Sequence, residues 1–275
     1  EIIIIYIIRP FIIYNMYPTM IDLLLTSGYY IIQIGFVITL FIHLLKFFFN
    51  SNEPILISID GNIGSGKSTL IEFLKNKSND DKNISFLEEP VDLWTSTTDN
   101  ENKNILQKFY EDKPRWSYTF QNFAFITRAS LLLESIKKNM SYTTSKRNII
   151  ISERSVETDK NVFARMLYDD GFMSNLEYII YKTWYKTLFP EIKVTNVIYV
   201  RTLPETAFKR MSSRNRKEES SVSKSYIQIV HKYHDEWLTN NKSNYNICYL
   251  DGNKDINEDI MIMDDYYNKI LSFIN

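Results

Sequence analysis

The sequence predicts an α/β fold in which a five-stranded parallel sheet is flanked by helices. From Glu53 onward, short apolar runs alternate with stretches of helical periodicity, the pattern of parallel strands joined by crossover helices. A glycine-rich loop follows the first apolar run and precedes a helical stretch, as in folds that hold a phosphate group between a strand and a helix. The chain of 275 residues is long enough to bury one large core and to carry an extension.

Each predicted strand is a short apolar run bounded by polar residues. The first is apolar at nearly every position, as a strand buried on both faces requires. In chain order the strands are Ile55–Ile59, Ile84–Leu87, Asn148–Ser152, Val197–Val200 and Ile247–Leu250. The helical stretches are Ser68–Lys77, Ile105–Tyr110, Arg115–Asn139, Val162–Tyr168, Leu176–Leu188, Glu205–Ser213, Ser225–Leu238 and Asn257–Phe273. We predict polar loops at Ser78–Lys82 and Thr95–Lys103.

Residues 1–52 differ in composition from the rest and are predicted to form an apolar extension to a domain at residues 53–275. The run at 29–49 is about as long as the roughly 20 residues that cross a hydrocarbon core as a helix. A membrane anchor and translated upstream sequence are both open interpretations of this run. A mitochondrial transit peptide is less favoured, because Arg9 is the only arginine of the segment and such peptides are rich in arginine.

The overall charge is close to neutral, with 32 Lys and Arg residues against 33 Asp and Glu residues. A balanced charge gives no electrostatic attraction for DNA or RNA, so we expect no nucleic-acid partner. Cys248 is the only cysteine, which excludes an intramolecular disulfide and a zinc site built from cysteines. This cysteine content is typical of a reducing compartment such as the cytoplasm.

Residues 61–69, GNIGSGKST, match the phosphate-binding pattern of a glycine, four residues, and then Gly66, Lys67 and Ser68. The glycines allow a tight turn in which successive backbone N–H groups face an anion at the start of a helix. Lys67 would contact the β- and γ-phosphates, and the Ser68 hydroxyl would bind Mg²⁺. A simple glycine turn is the alternative, but the strand, the spacing, the lysine and the serine all favour a triphosphate site. Its predicted residues are Gly61, Asn62, Ile63, Gly64, Ser65, Gly66, Lys67, Ser68 and Thr69.

Carboxylates follow two of the predicted strands, at the sheet edge where ligands of parallel sheets bind. Glu89 comes after the second strand, before Pro90, and is placed to accept a proton from a hydroxyl group. After the third strand, Glu153 can hold Mg²⁺, and Arg154 can contact a phosphate or orient Glu89. Taken alone, the acidic residues before Pro90 favour an ordinary solvated turn, and the alternative for Glu153 and Arg154 is a surface ion pair. The phosphate-binding loop favours the functional interpretation.

The helix predicted at Arg115–Asn139 carries polar side chains among apolar ones on a single face. Starting from Gln121, the residues three, four and seven positions later lie on the same helix face. They are Ala124, Phe125 and Arg128. Aromatic walls with an amide and a guanidinium group suit the edge of a nucleobase. The alternative is that both polar residues lie on a solvated face.

A basic cluster follows the fourth predicted strand. Arg210 and Arg214 are four residues apart on one helix face, and Arg216 lies just beyond them. Such arginines can close over a transferring phosphoryl group and neutralise its charge. A solvated basic turn is the alternative, and the balanced charge of the chain argues against a nucleic-acid contact.

In series, these motifs resemble those of the deoxyribonucleoside kinase family, which includes deoxycytidine, deoxyguanosine and deoxyadenosine kinases. The resemblance rests on GNIGSGKST (61–69), EEPVDLW (88–94), LQKFYEDKPRWSYTFQNFAFITR (106–128), SERSVETDKNVF (152–163), LPETAFKRMSSRNRKEE (203–219) and YLDGNKDI (249–256), in the family's order. It implies a P-loop nucleoside kinase fold, ATP as phosphoryl donor, Mg²⁺ as cofactor, a deoxynucleoside acceptor and a homodimer.

The resemblance also implies a role for each residue that matches a family motif. Glu89 matches the base that activates the sugar 5′-hydroxyl, with Arg154 beside it, and Glu153 matches the Mg²⁺-associated carboxylate. The acceptor residues are Tyr110 and Glu219 at the sugar 3′-hydroxyl, Gln121 at the base edge, Phe163 stacked on the base, and Trp94, Leu106, Phe109 and Phe120 as walls. The donor residues are Arg210, Arg214 and Arg216 of the lid, with Arg214 also against adenine, and Asp255 and Ile256 of the adenine loop.

Arg128 and Asp159 resemble the deoxycytidine and purine branch of the family, since members that use thymidine well tend to have apolar residues there. A paired arginine and aspartate offer a donor and an acceptor to the base and leave little room for the methyl group of thymine. We therefore predict weak use of thymidine. On the residues alone, two other functions stay open. One is a thymidylate or other nucleoside monophosphate kinase, which needs a further basic site, and the other is a membrane-tethered nucleotide-binding protein without turnover.

Overall fold

The structure is a computed structural model, and it describes residues 53–78, 81, 83–140, 148–188, 194–240, 244–254 and 260–274. The predicted extension at residues 1–52, with its candidate membrane segment at 29–49, lies outside these ranges and stays a prediction. Within the described ranges, none of the helices combines the length and the apolar character needed to span a bilayer.

Five strands form a parallel sheet in the described part of the chain. Their bounds are β1 Ile55–Asp60, β2 Ile84–Leu87, β3 Ile149–Glu153, β4 Asn196–Arg201 and β5 Asn246–Asp251. The order across the sheet is β2-β3-β1-β4-β5, and every neighbouring pair is parallel. The α/β fold is confirmed, and each strand ends within one residue of its predicted position.

Helices flank this sheet on both faces. In the described residues the α-helices are α1 Lys67–Lys77, α2 Val91–Ser96, α3 Ile105–Glu111, α4 Lys113–Met140, α5 Val156–Thr158, α6 Arg165–Asp169, α7 Asn175–Leu188, α8 Pro204–Arg214, α9 Lys224–Asn240 and α10 Ile260–Ile274. A π-helical turn at Asp159–Ala164 joins α5 to α6, and a 3₁₀ turn at Lys217–Glu219 follows α8.

Three stretches differ from the predicted helices. The sequence pattern does not predict α2, because six residues are too few to show a helical period, and its last two residues fall in a predicted loop. The helix predicted at Val162–Tyr168 starts earlier, since helical backbone begins at Val156 and passes through the π-helical turn. The first residues of the last predicted helix, 257–259, lie outside the described residues.

Strand side chains alternate between two buried clusters, one on each face of the sheet. In β4, Val197 and Tyr199 belong to one cluster, whereas Ile198 and Val200 belong to the other. Residues of α1 and α10 cover the second cluster, and residues of α3, α4, α7 and α9 cover the first. Burial on both faces explains why the three central strands, β3, β1 and β4, are mainly apolar and do not show a regular alternation with polar residues.

The carboxyl ends of three strands are level, which brings their polar segments together. β1 has β3 on one side and β4 on the other, so a crevice for a ligand is expected beyond its carboxyl end. Ile59 is opposite Glu153, and Leu87 is opposite Ser152. One edge of the sheet therefore holds the start of the phosphate-binding loop together with Glu89 and Glu153, as the sequence predicts.

Candidate active site

The phosphate-binding loop joins β1 to α1 through glycines in the left-handed region. Gly64 has a φ of 75° and Gly66 a φ of 95°, which residues with a side chain rarely adopt. A Cβ atom on Gly64 would lie 2.2 Å from the backbone oxygen of Ala207 in α8, so a side chain there would clash. Gly66 is the N-cap of α1, which leaves the first N–H groups of that helix available to an anion.

Lys67, the first residue of α1, is buried and folds back over the loop. Its Nζ donates a hydrogen bond to the carbonyl oxygen of Asn62 at 2.9 Å and lies 3.9 Å from Oε1 of Glu153. Burial and the charge of Arg154 lower the pKa of Lys67 to about 7. A bound polyphosphate would favour the charged ammonium group, so this lysine is suited to a ligand that brings its own negative charge.

An oxygen pair suited to a divalent cation lies next to Lys67. The Ser68 hydroxyl donates a hydrogen bond to Oε1 of Glu153 at 3.0 Å. Mg²⁺ prefers oxygen ligands, and in phosphotransferases it takes one or two protein oxygens and completes its shell with phosphate and water. The hydroxyl and the carboxylate fit that donor set.

Glu89, two residues beyond β2, lies among three cationic groups. Nη2 of Arg128 donates a hydrogen bond to its Oε1 at 2.9 Å, and Nε of Arg154 lies 3.7 Å from the same oxygen. Burial raises its pKa, but the charges of Arg154, Arg128 and Lys67 outweigh burial and lower the pKa to about 2. The carboxylate is therefore ionised and able to accept a hydrogen bond or a proton from a hydroxyl group.

Arg128 of α4 binds three neighbouring acceptors at once. Nε donates to Oδ2 of Asp159 at 2.9 Å, Nη1 to the carbonyl oxygen of Glu153 at 2.8 Å, and Nη2 to Glu89. Arg128 is 6% exposed and Gln121 is 2% exposed, which excludes a solvated face for this part of α4. The sequence predicts the pairing with Asp159 but not the bonds to Glu89 and Glu153.

Arg154 combines an unusual backbone conformation with buried donors. Its φ of 60° lies in the left-handed region, which is sparsely populated by residues with a side chain and is often found at functional sites. Its guanidinium carbon is 5.1 Å from the ring centre of Phe163, and among the described residues its Nε and Nη1 have no hydrogen-bond partner. Because buried donors without partners are costly, they indicate a site for an oxygen-rich ligand.

The π-helical turn between α5 and α6 carries two predicted acceptor residues, Asp159 and Phe163. Ser155 caps α5 through Thr158, and the Thr158 hydroxyl donates a hydrogen bond to the buried Asp60 at the end of β1. These bonds fix the turn to the strand that precedes the phosphate-binding loop. Such turns are frequent at functional sites, and a search for a 3.6-residue period does not detect them.

The predicted base pocket is an aromatic slot with one unsatisfied amide. The rings of Phe109 and Phe120 stack with centres 4.7 Å apart, and Trp94 meets Phe120 edge-on at 5.3 Å. Oε1 of Gln121 is buried and has no hydrogen-bond partner in the part of the chain that the structure describes. An aromatic slot with a free amide oxygen suits a flat ring that carries N–H groups.

Two tyrosines and a glutamate line the same cavity. The rings of Tyr110 and Tyr226 meet edge-on with centres 6.2 Å apart. Burial raises the pKa of Tyr110 well above its usual value, and Tyr226 and Glu219 add to this effect. Burial also raises the pKa of Tyr226, so both hydroxyls stay protonated and can donate. The sequence does not predict Tyr226 as a site residue, because its position in the helix is that of an ordinary core residue.

The basic cluster divides between two sets of partners. Nη2 of Arg214 donates to both carboxylate oxygens of Glu219, at 2.8 and 2.7 Å, and Nη1 of Arg216 donates to Oε1 at 3.1 Å. Arg210 instead donates to two backbone carbonyl oxygens in the turn after β5. One carboxylate therefore pairs with both arginines nearest the 3₁₀ turn.

A cavity of about 1170 Å³ brings the predicted donor and acceptor residues together. From the loop and the lid it is lined by Ile63, Gly64, Gly66, Lys67, Ser68, Thr69, Arg210, Arg214 and Arg216. The acceptor and metal residues that line it are Glu89, Trp94, Leu106, Phe109, Tyr110, Phe120, Gln121, Arg128, Glu153, Arg154, Asp159, Phe163 and Glu219. Gly61, Asn62 and Ser65 are buried within the loop and do not line the cavity. The predicted adenine-loop residues Asp255 and Ile256 lie outside the described residues.

A phosphate-binding loop, an oxygen pair for a cation and an ionised carboxylate in one cavity define a P-loop phosphotransferase that holds a donor beside an acceptor hydroxyl. A family model described as deoxynucleoside kinase matches residues 57–275. The chain belongs to the deoxynucleoside kinase family, which confirms the resemblance and the nucleoside kinase fold. It is therefore an enzyme that phosphorylates deoxynucleosides, and membership of a kinase family implies ATP as phosphate donor.

The names of similar proteins state deoxynucleoside kinase activities. The chain is 39% identical over 202 residues to a probable deoxycytidine kinase of fowlpox virus (strain NVSL), which covers 72% of this chain and 78% of that one. It is 31% identical over 242 residues to deoxycytidine kinase 2 of Gallus gallus, with 79% and 89% covered. It is 30% identical over 240 residues to a mitochondrial deoxyguanosine kinase of Xenopus laevis, again with 79% and 89% covered.

Proposed function

We propose that this kinase transfers the γ-phosphoryl group of ATP to the 5′-hydroxyl of deoxycytidine or of a purine deoxynucleoside, and that it uses thymidine poorly. The observation that carries this proposal is the buried ion pair of Arg128 and Asp159 in the cavity that also holds the free amide oxygen of Gln121. An amino group on the base can donate to such oxygens. The names of the similar deoxycytidine and deoxyguanosine kinases support the same acceptors.

Thymine fits this pocket less well for two physical reasons. It has no exocyclic amino group, so its single N–H group can donate to the Gln121 oxygen or to the Asp159 oxygen but not to both, and one buried acceptor would stay unpaired. Its methyl group would also press against a charged pair in place of an apolar wall, which is unfavourable. Discrimination by unpaired polar groups of this kind is stronger than discrimination by a methyl group alone.

We propose direct in-line transfer as the chemistry. The 5′-oxygen forms a bond to the γ-phosphorus while the bond from that phosphorus to the β,γ-bridging oxygen breaks, and ADP leaves. Glu89 takes the proton of the hydroxyl group. Its low pKa keeps the carboxylate ionised at neutral pH. Because the transition state of phosphoryl transfer is loose, the position of the base matters more than its strength.

We assign the donor side to the loop, the oxygen pair and the lid. Ser68 and Glu153 would hold Mg²⁺, which when bound neutralises part of the charge on the donor phosphates. Lys67 contacts the β- and γ-phosphates. We assign Arg154 to the transferring phosphoryl group, because its Nε and Nη1 have no hydrogen-bond partner among the described residues. The lid arginines, which also line the cavity, would close over the same group; they are Arg210, Arg214 and Arg216. For Asp255 and Ile256, contact with adenine stays a prediction.

We assign Tyr110 and Glu219 to the sugar 3′-hydroxyl, as a hydrogen-bond donor and an acceptor. Both line the cavity, and the charge of Glu219 is close enough to contribute to the raised pKa of Tyr110. Phe163 stacks on the base, with the aromatic slot as its opposite wall. This arrangement leaves the 5′-hydroxyl for Glu89.

We infer a homodimer through α7 and the adjacent part of α4. Along α7, Leu176, Ile180 and Trp184 are spaced by four residues and are 68%, 38% and 45% exposed. Ile126 of α4, the helix on which α7 packs, is also exposed. An exposed apolar stripe of this kind is typical of an interaction surface.

Sedimentation velocity tests the dimer. We expect about twice the chain mass of 32.7 kDa for the wild type. The substitution Trp184→Glu should give monomers, because it places a charge in the apolar stripe. Lys186→Glu, on the same helix but outside that stripe, should leave the dimer intact. A monomeric wild type would contradict the inference.

A phosphorylation assay with ATP and Mg²⁺ against the four deoxynucleosides and their monophosphates tests the acceptor. We expect kcat/KM for deoxycytidine or a purine deoxynucleoside to exceed that for thymidine by about tenfold or more. Replacing Arg128 by Met and Asp159 by Ala together should raise the ratio of thymidine to deoxycytidine use by about tenfold. Both are replaced because one partner alone would leave a buried charge unpaired. An unchanged ratio, or a preference for monophosphates, would count against the proposal.

The substitution Glu89→Gln tests the proposed base. It should lower kcat by roughly 10² to 10⁴ and leave affinity for a non-hydrolysable ATP analogue nearly unchanged, because only the proton acceptor is lost. Glu88→Gln is the matched control, since Glu88 is the preceding residue and its side chain is 66% exposed and paired with Lys75. Near-normal turnover in Glu89→Gln would rule out this assignment.

A further inference from the structure

Two adjacent glutamates of the 3₁₀ turn at Lys217–Glu219 bind different parts of the site. Glu219 binds the lid arginines Arg214 and Arg216. Glu218 accepts a hydrogen bond at 3.0 Å from Nδ2 of Asn104, which is 114 residues earlier in the chain. The turn therefore connects the lid with a distant segment.

Asn104 connects Glu218 to the acceptor side of the cavity. Its Oδ1 accepts a hydrogen bond from the backbone N–H of Gln107 at 2.8 Å, so Asn104 is the N-cap of α3. Asn104 is 9% exposed, and both ends of its amide are engaged. α3 carries three residues that line the cavity, among them Tyr110. One buried side chain is thus shared by the acceptor helix and the lid turn.

The turn that carries the two glutamates is short and is closed by hydrogen bonds between its own backbone groups. The N–H of Glu219 donates to the carbonyl oxygen of Arg216 at 3.0 Å, and the N–H of Val222 donates to that of Glu219 at 3.0 Å. α8 ends shortly before this turn, at Arg214, and its C-cap residue Asn215 has a left-handed φ of 52°. A turn closed by these bonds moves as a unit, so a displacement of Glu218 also displaces Glu219 and the arginines bound to it.

We propose that Asn104 and Glu218 are positioning residues that couple the binding of the two substrates. An acceptor held against α3 fixes Asn104 and Glu218, and the turn then fixes the lid arginines over the donor phosphates. Neither residue touches a substrate in this arrangement. The inference rests on the proposed function, since it takes α3 as part of the acceptor site and the lid as part of the donor site. Because coupling of binding is reciprocal, each substrate strengthens the binding of the other by the same factor.

Calorimetric titration of the full chain measures this coupling. The donor probe is the Mg²⁺ complex of β,γ-imido-ATP, added with and without saturating deoxycytidine. We expect deoxycytidine to tighten donor binding about fivefold or more in the wild type. In Glu218→Ala this ratio should fall by about half or more, with the remainder carried by the contact of Glu219 with the acceptor, whereas donor binding without deoxycytidine should change far less.

Two further variants separate coupling from a general structural effect. Glu218→Gln keeps an oxygen acceptor for Asn104 and should restore the coupling ratio. Asn104→Asp keeps an oxygen that caps α3, but it removes the donor and places a like charge beside Glu218. It should lower the coupling ratio as much as Glu218→Ala does and retain the thermal unfolding midpoint of the wild type within a few degrees.

The outcomes distinguish a failure of the inference from a failure of the proposed function. An unchanged ratio in Glu218→Ala, or an equal loss in Glu218→Gln, would overturn the coupling role. A wild type that turns over deoxycytidine with no coupling would overturn it as well. If the wild type neither turns over nor binds any deoxynucleoside, the proposed function fails first, and the inference with it.

Discussion

Carboxylates and arginines must neutralise one another in a buried cluster at the carboxyl ends of β2 and β3. Glu89 follows β2, Arg154 follows β3, Arg128 comes from α4 and Asp159 from the π-helical turn. Leaving one member of such a buried pair without its partner costs about 3–5 kcal/mol, so these four elements cannot shift independently. The cluster therefore fixes the position of Glu89 and keeps it ionised.

Because of this cluster, the selection of the acceptor base and the proposed proton transfer to Glu89 depend on each other. Arg128 bonds Asp159 in the proposed base pocket and Glu89 at the proposed reacting hydroxyl. A substitution that widens the pocket at Arg128 consequently changes the charge around the base, so specificity and turnover are expected to change together. On the other side of the cavity, Glu219 joins the proposed sugar contact to the lid arginines. The two substrate sites share side chains at both places.

The sequence predicts the local features of this protein better than the contacts between distant segments. The strands and the loop at 61–69 follow from runs of neighbouring residues, and parallel strands place Glu89 and Glu153 at one edge. The bond between Arg128 and Glu89 joins residues 39 positions apart, and no periodicity predicts it. The π-helical turn and the bond between Asn104 and Glu218 were also not predictable, because each depends on tertiary packing.

The pH dependence of kcat/KM for the wild type and Arg128→Met tests whether the buried cations keep Glu89 ionised. Removing a positive neighbour raises the pKa of a carboxyl group, so activity should be lost at a higher pH in the variant as the solution is acidified. We expect its acid limb to move up by about one pH unit or more. Arg165→Met is the matched control, since Arg165 is 59% exposed and paired with Asp169. An Arg128→Met profile that is lower but has the same acid limb as the wild type would contradict this role of Arg128.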